Sequence, residues 1–235
     1  MLFLAWQLWW NDAILASSQS SAAAHASRSW SAAVPSTPAT ASPTEPSSPS
    51  PTAGSAIVNY GAPVVMSSEP AEDTAFAVMY VPRFGAGTQR QIAQGVGTDV
   101  LNSTHLGVGH YAGTAMPGGV GNFAIAAHRS AYGGGMHLLN ELQVGDPIYI
   151  QTKDGWYTYR FRNFEYVRAS AVAVIDDVPQ NVGTSTGQRL ITLTTCNPLY
   201  STSERIVAYG ILDSWQPTSA GPPAAIAADV ASWKK

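Results

Sequence analysis

Between Phe76 and Leu212 the sequence is a succession of short runs rich in Val, Ile, Thr and aromatic residues. They are Phe76–Val81, Asn122–His128, Pro147–Thr152, Trp156–Val167, Val172–Ile175, Arg189–Cys196 and Arg205–Leu212. Such side chains suit a pleated, half-buried surface, so each run predicts a strand. Lys153-Asp154-Gly155 is a turn signal that joins two of them into a hairpin. Helical signals are brief, over Thr98–Asn102 and Met136–Leu142. Many short strands with sparse helices predict a mainly β fold, a closed or nearly closed barrel, with a β-sandwich as the alternative.

The flanks differ in composition. Met1–Trp10 is apolar and Trp-rich and stops at Asn11-Asp12. It is about half the length of a bilayer span. Its Trp pair suits the interfacial end of a spanning helix, so residues 1–16 are expected to be a partial membrane anchor preceded by more chain. Residues 17–56 are Ser, Ala, Thr and Pro with almost no charge, and prolines recur from Pro35 to Pro51. Such a stretch buries too little to offset chain entropy, and a stalk is expected there. Residues 57–215 form the expected folded domain, and 216–235 a Pro/Ala-rich tail. The net charge is −3, and no Lys/Arg cluster offers a footprint for nucleic acid.

Cys196 is the one cysteine. It can make no internal disulfide and no thiolate-rich metal site, which leaves an inert buried thiol or a nucleophile. Side-chain alternation along Arg189–Cys196 puts Ile191, Leu193 and Thr195 on one face and Thr192, Thr194 and Cys196 on the other. The thiol therefore sits on the more polar face at a strand end. Arg205 follows nine residues later, after the loop Asn197–Glu204. Antiparallel pairing would bring Cys196 and Arg205 opposite each other, about 5 Å apart at Cα. Arg stays charged and offers a planar fork of donors to an oxyanion. His128 ends an apolar run at the mouth of the Gly-rich stretch Arg129–Gly135, where an imidazole can serve as general acid. His105 and His110 lie in an expected loop with no carboxylate or thiol at ligand spacing, so neither metal nor cofactor is expected.

Ala126-Ala-His128-Arg129, Thr192-Leu-Thr-Thr-Cys196 and Arg205 together resemble the signature His, the TLxTC box and the downstream Arg of sortases. Gly109–Gly118, Gly121–Ala126 and Thr194–Pro198 are similar to the class E sortases of actinobacteria. Ala127 departs from the pattern, standing where a Gly is frequent. The resemblance implies an eight-stranded barrel on the outer face of the cell membrane, held by one N-terminal anchor. It implies a cysteine transpeptidase that cleaves a C-terminal sorting signal, LAxTG-like, between Thr and Gly. A thioacyl-enzyme follows and is resolved by a cell-wall amine from a peptidoglycan precursor or pilin. Cys196 would be the nucleophile, His128 the acid and base, and Arg205 the partner of the substrate and oxyanion. Thr195 would offer its backbone N–H, while Thr194 and Tyr111 would line the substrate site, Tyr111 in the segment tied to class E selectivity. The loop Ala169–Gln188 would form one wall. A secreted cysteine protease and a catalytically silent β-barrel binding module are the alternatives.

Overall fold

The computed structural model describes residues 2–33, 58–181 and 183–233. Eight strands carry the fold: β1 (Ala75–Tyr80), β2 (Arg90–Gln94), β3 (Gly107–His110), β4 (Gly121–Ala127), β5 (Pro147–Gln151), β6 (Gly155–Arg168), β7 (Arg189–Asn197) and β8 (Glu204–Pro217). They close into a barrel in the order β1-β2-β3-β4-β7-β8-β6-β5, so the sandwich alternative falls. The expected turn at Lys153–Gly155 joins β5 and β6 as an antiparallel hairpin, Gln151 opposite Trp156.

The interior follows strand alternation. Phe123 and Ile125 of β4, Ile191 and Leu193 of β7, and Ile206 and Ala208 of β8 are all buried in one core with Tyr159 and Phe161. Each such aliphatic or aromatic side chain contributes about 1.5–3 kcal/mol on burial. The even-numbered residues of β7 are thereby turned outward, which sets up the site.

Two strands were not expected. Arg90–Gln94 is mostly polar, and Gly107–His110 is half glycine. At Gly109 a Cβ would lie 2.2 Å from the Gly95 carbonyl oxygen, so only glycine lets β3 approach there. His110 accordingly belongs to β3 and not to a loop. Val172–Ile175 forms a 3-10 turn and not a strand, because the closed barrel offers no free edge for a ninth strand to pair with. Of the two expected helices, the first is α2 (Thr98–Leu101), and the second shrinks to a 3-10 turn at Leu139–Glu141.

The largest differences lie at the ends. Helix α1 (Leu2–Ala32) runs through the first part of the expected stalk. Ala is the best helix former, and no proline interrupts before Pro35. Gln19, Ser20, Ala23, Ala24 and Ser27 are buried against the barrel, at the 3–4 residue spacing of one helix face. Residues 34–57 of the expected stalk lie outside the described residues. The expected tail is also ordered: β8 continues to Pro217 and helix α3 (Ala227–Ser232) follows. Buried Ile226 and Trp233 pack with Tyr80 and Trp156, and Arg28 of α1 donates to the Trp233 carbonyl. Among the described residues no helix is long and apolar enough to cross a membrane.

Candidate active site

Strands β4 and β7 run parallel, with Ala126 paired to Thr194. Two residues further on, at the same rim of the barrel, His128 and Cys196 leave these neighbouring strands, whose axes are about 4.8 Å apart. The Thr195 hydroxyl donates to the Ala127 carbonyl at 2.7 Å and locks this level of the pair. On its other side β7 pairs antiparallel with β8, and Cys196 stands opposite Arg205. The nine-residue spacing thus places thiol and guanidinium residues across from each other, as the sequence predicts. Cys196 is half-buried and free.

Arg205 turns its Nη1 toward its own loop, donating to the carbonyls of Thr202 at 3.1 Å and Glu204 at 2.9 Å. Its Nε and Nη2 have no protein acceptor among the described residues. His128 is half-buried between two segments. Its Nε2 meets Asn102 Oδ1 at 2.8 Å, and its ring lies 5.0 Å from that of Tyr132, tilted by 33°. This contact occupies Nε2, and Nδ1 is the ring nitrogen with no hydrogen-bond partner among the described residues. Burial holds the imidazole below the ordinary histidine range, and the nearby Asp12 charge opposes the shift in part. Burial thereby favours the neutral imidazole.

The outward face of β7 is covered by neighbouring segments, with Thr192 and Thr194 buried. Thr194 and Tyr111 meet there, hydroxyl to hydroxyl at 2.9 Å. Thr192 donates to Asn122 Oδ1 at 2.8 Å, and Asn122 Nδ2 donates to the Asp176 carbonyl at 3.0 Å. The segment around Asp176 is thus tied to β4 and β7. A cavity of about 330 Å³, lined by Leu190, Tyr209, Glu165, Pro179, Gln180 and Gln188, opens at the far end of this face. Thr195 departs from the expectation in one respect: its side chain is buried and points at Ala127, so only its backbone could face a substrate.

Sequence reasoning missed several supporting residues. Arg129 is buried and ties the histidine loop to the cysteine strand. Its Nη1 donates to Asn197 Oδ1 at 2.5 Å and, at a long 3.4 Å, to the Cys196 carbonyl. Its Nη2 donates to Asn140 Oδ1 at 3.0 Å. Its position directly after His128 was the available signal. His110 is buried beneath Tyr111, with Nδ1 on Gln94 Oε1 at 2.8 Å and Nε2 beside Thr114 Oγ1 at 2.9 Å. It fixes the segment that carries Tyr111, and burial lowers its pKa.

Residues 79–213 match a family model described as Sortase domain. Sortase SrtE1 of Streptomyces coelicolor is 34% identical over 157 residues, 64% of this chain and 44% of that protein. The chain therefore spans less than half the length of this curated relative. Among solved structures, sortase E from Streptomyces avermitilis superposes with a TM-score of 0.60 at 38% identity, covering 67% of this chain and 99% of that one. The SrtA sortase from Actinomyces oris gives a TM-score of 0.65 at 32% identity, covering 71% and 94%.

Proposed function

The chain belongs to the sortase family, and on that premise we propose that it is a cysteine transpeptidase acting on a C-terminal sorting signal, LAxTG-like, at the Thr–Gly bond. The observation that carries the reading is the shared rim: Cys196 opposite Arg205 on β7 and β8, with His128 leaving the neighbouring β4.

The chemistry follows from the geometry. Neutral His128 accepts the Cys196 thiol proton as sulfur attacks the Thr carbonyl. Arg205 rotates one of its open donors from the loop toward the oxyanion that forms. Collapse breaks the Thr–Gly C–N bond, and His128 delivers its proton to the leaving amine. A thioester to Cys196 remains. An incoming amine attacks it, gives its proton to His128, and the new amide departs as the proton returns to sulfur. Water in place of the amine gives hydrolysis.

The path along β7 supports an extended peptide. From the Thr to the Leu of the signal is three residue steps, about 10 Å at 3.3 Å each. With the Thr at Cys196, the Ala passes Tyr111 and Thr194 and the Leu reaches the level of Leu193, with the cavity at Leu190 and Tyr209 further along the strand. The Ala169–Gln188 segment, tied down through Asn122, walls this path and limits water. The clients are surface proteins bearing the signal, and the acceptor is a peptidoglycan-precursor or pilin amine. The enzyme works on the outer face of the cell membrane, held there through its N-terminus.

An internally quenched Leu-Ala-x-Thr-Gly peptide with an amine acceptor tests this. Cleavage with an amide product, both lost in Cys196→Ala, and preference for LAxTG over LPxTG are expected. Hydrolysis of unrelated peptides would favour a protease. Thiol labelling of Cys196 without any turnover would leave only a binding module.

A further inference from the structure

Helix α1 reaches the histidine side of the rim from outside the barrel. We propose that Gln19 is a positioning residue for His128, joining from α1 the two segments that hold the imidazole. The proposal rests on His128 moving a proton in the reaction above.

The two segments are separate in sequence. One is the turn after α2, where Asn102 holds His128 Nε2. The other is the Gly-rich loop, where Tyr132 faces the ring. Gln19 Nε2 donates to both: to the Ser103 carbonyl at 2.8 Å, one residue past Asn102, and to the Tyr132 carbonyl at 3.0 Å. The carboxamide is fully buried. Its seat is made by two glycines. A Cβ at Gly107 would lie 2.8 Å from the Gln19 side chain, and one at Gly133 would lie 2.5 Å from it. Both glycines have left-handed backbones, at φ +101° and +83°, so any side chain there would be strained as well as obstructed. Asp12 lies two turns earlier on the same face of α1. Its Oδ1 accepts from the Gly133 N–H at 3.4 Å, and its charge acts on His128.

The placement distinguishes this contact from general helix packing. A glutamine that merely anchored α1 would need only the barrel wall. Gln19 instead donates to two loop carbonyls, one next to Asn102 and the other on Tyr132 itself, the two residues that contact His128. Among the described residues, the titratable groups that contact or act on the imidazole are Asp12 from α1 and Tyr132 from the loop, while Cys196 lies on the neighbouring strand β7, opposite Arg205 on β8.

The experiment uses the full chain with three substitutions and two readouts. Gln19→Met keeps the volume and removes both donors. It should lower kcat by about tenfold or more, since small misplacements of a catalytic group are costly, with KM within about twofold. NMR of the labelled His128 ring should show its pKa rising toward the ordinary value as water reaches the loosened site. Asp12→Asn, at a half-exposed position, should fold normally and move the same resonance to lower pKa, because a charge favouring imidazolium is gone. Ser27→Ala, on the same helix away from both loops, should change neither. Wild-type kcat and an unmoved His128 titration in Gln19→Met would overturn the proposal, as would a fall in Tm alone. If Gln19→Met does not fold, Gln19→Leu is read the same way, and wild-type kcat with an unmoved His128 titration in that variant overturns the proposal. Wild-type protein that fails to turn over any sorting peptide would defeat the proposed function, while the imidazole titrations would still decide the role of Gln19.

Discussion

Replacing Arg129 with methionine should uncouple the histidine loop from the cysteine strand. The side chain is only 7% exposed and makes two short bonds, to Asn197 at 2.5 Å and Asn140 at 3.0 Å, beside the long one to Cys196 O. Hydrogen bonds from a charged donor contribute about 1.5–3 kcal/mol each, so the two short ones set an upper bound near 3–6 kcal/mol. Both asparagines reach water and recover part of this, and the buried guanidinium no longer has to be desolvated. The net loss should be about 2–3 kcal/mol, read from urea unfolding at constant slope. Methionine fills the place of the Arg stem, so the barrel should stay folded while His128 and Cys196 lose their common brace. Turnover of the sorting peptide should fall about tenfold to a hundredfold. Arg129→Lys should fall between, since it keeps the charge and loses the fork. A methionine variant within about 0.5 kcal/mol and twofold in kcat of wild type, both inside ordinary surface-substitution scatter, would refute the reasoning. A stability loss with full turnover would leave Arg129 a purely structural brace.

Arg205→Lys should abolish most turnover with circular dichroism unchanged, because one ammonium cannot hold the loop carbonyls and an oxyanion together; wild-type turnover would make Arg205 structural. Acidification should destabilise the fold. Burial holds His110 and His128 below the ordinary value near 6.5, so the unfolded chain binds more protons as pH falls through that value, and the stability present above it is lost. Tm should drop between pH 7 and 5, less steeply in His110→Gln, and a flat or rising Tm would contradict this. Asn122→Ala removes the tie from Thr192 to Asp176 and should raise hydrolysis relative to amide formation, measured by product ratio; an unchanged ratio would show that this wall does not govern water.

The pairing at the rim was readable because local rules suffice there. Alternation along Arg189–Cys196 fixes which side chains face out, and two strands joined by a short loop fix that Cys196 meets Arg205. The approach of His128 was not derivable from spacing, since it depends on the parallel β4/β7 pairing of distant segments. β2 and β3 were hidden because tertiary needs chose their residues: Gln94 is there for His110, and Gly109 for the backbone of Gly95. Helix α1 was hidden for a different reason. Its buried stripe is Gln, Ser and Ala, and its exposed face is mostly Ser and Ala with Ile14 and His25, so no polarity contrast announces which side docks. Gln19 fits its seat by shape and donors, which hydropathy does not register.

The docking of α1 sets how the barrel is held. The helix is fastened to the barrel wall through buried Gln19, Ser20, Ala23, Ala24 and Ser27, and Arg28 near its end donates to the Trp233 carbonyl. A force applied near Trp10 would travel along one continuous helical rod to the barrel, so the rim that carries Cys196 and His128 would keep a fixed bearing to it.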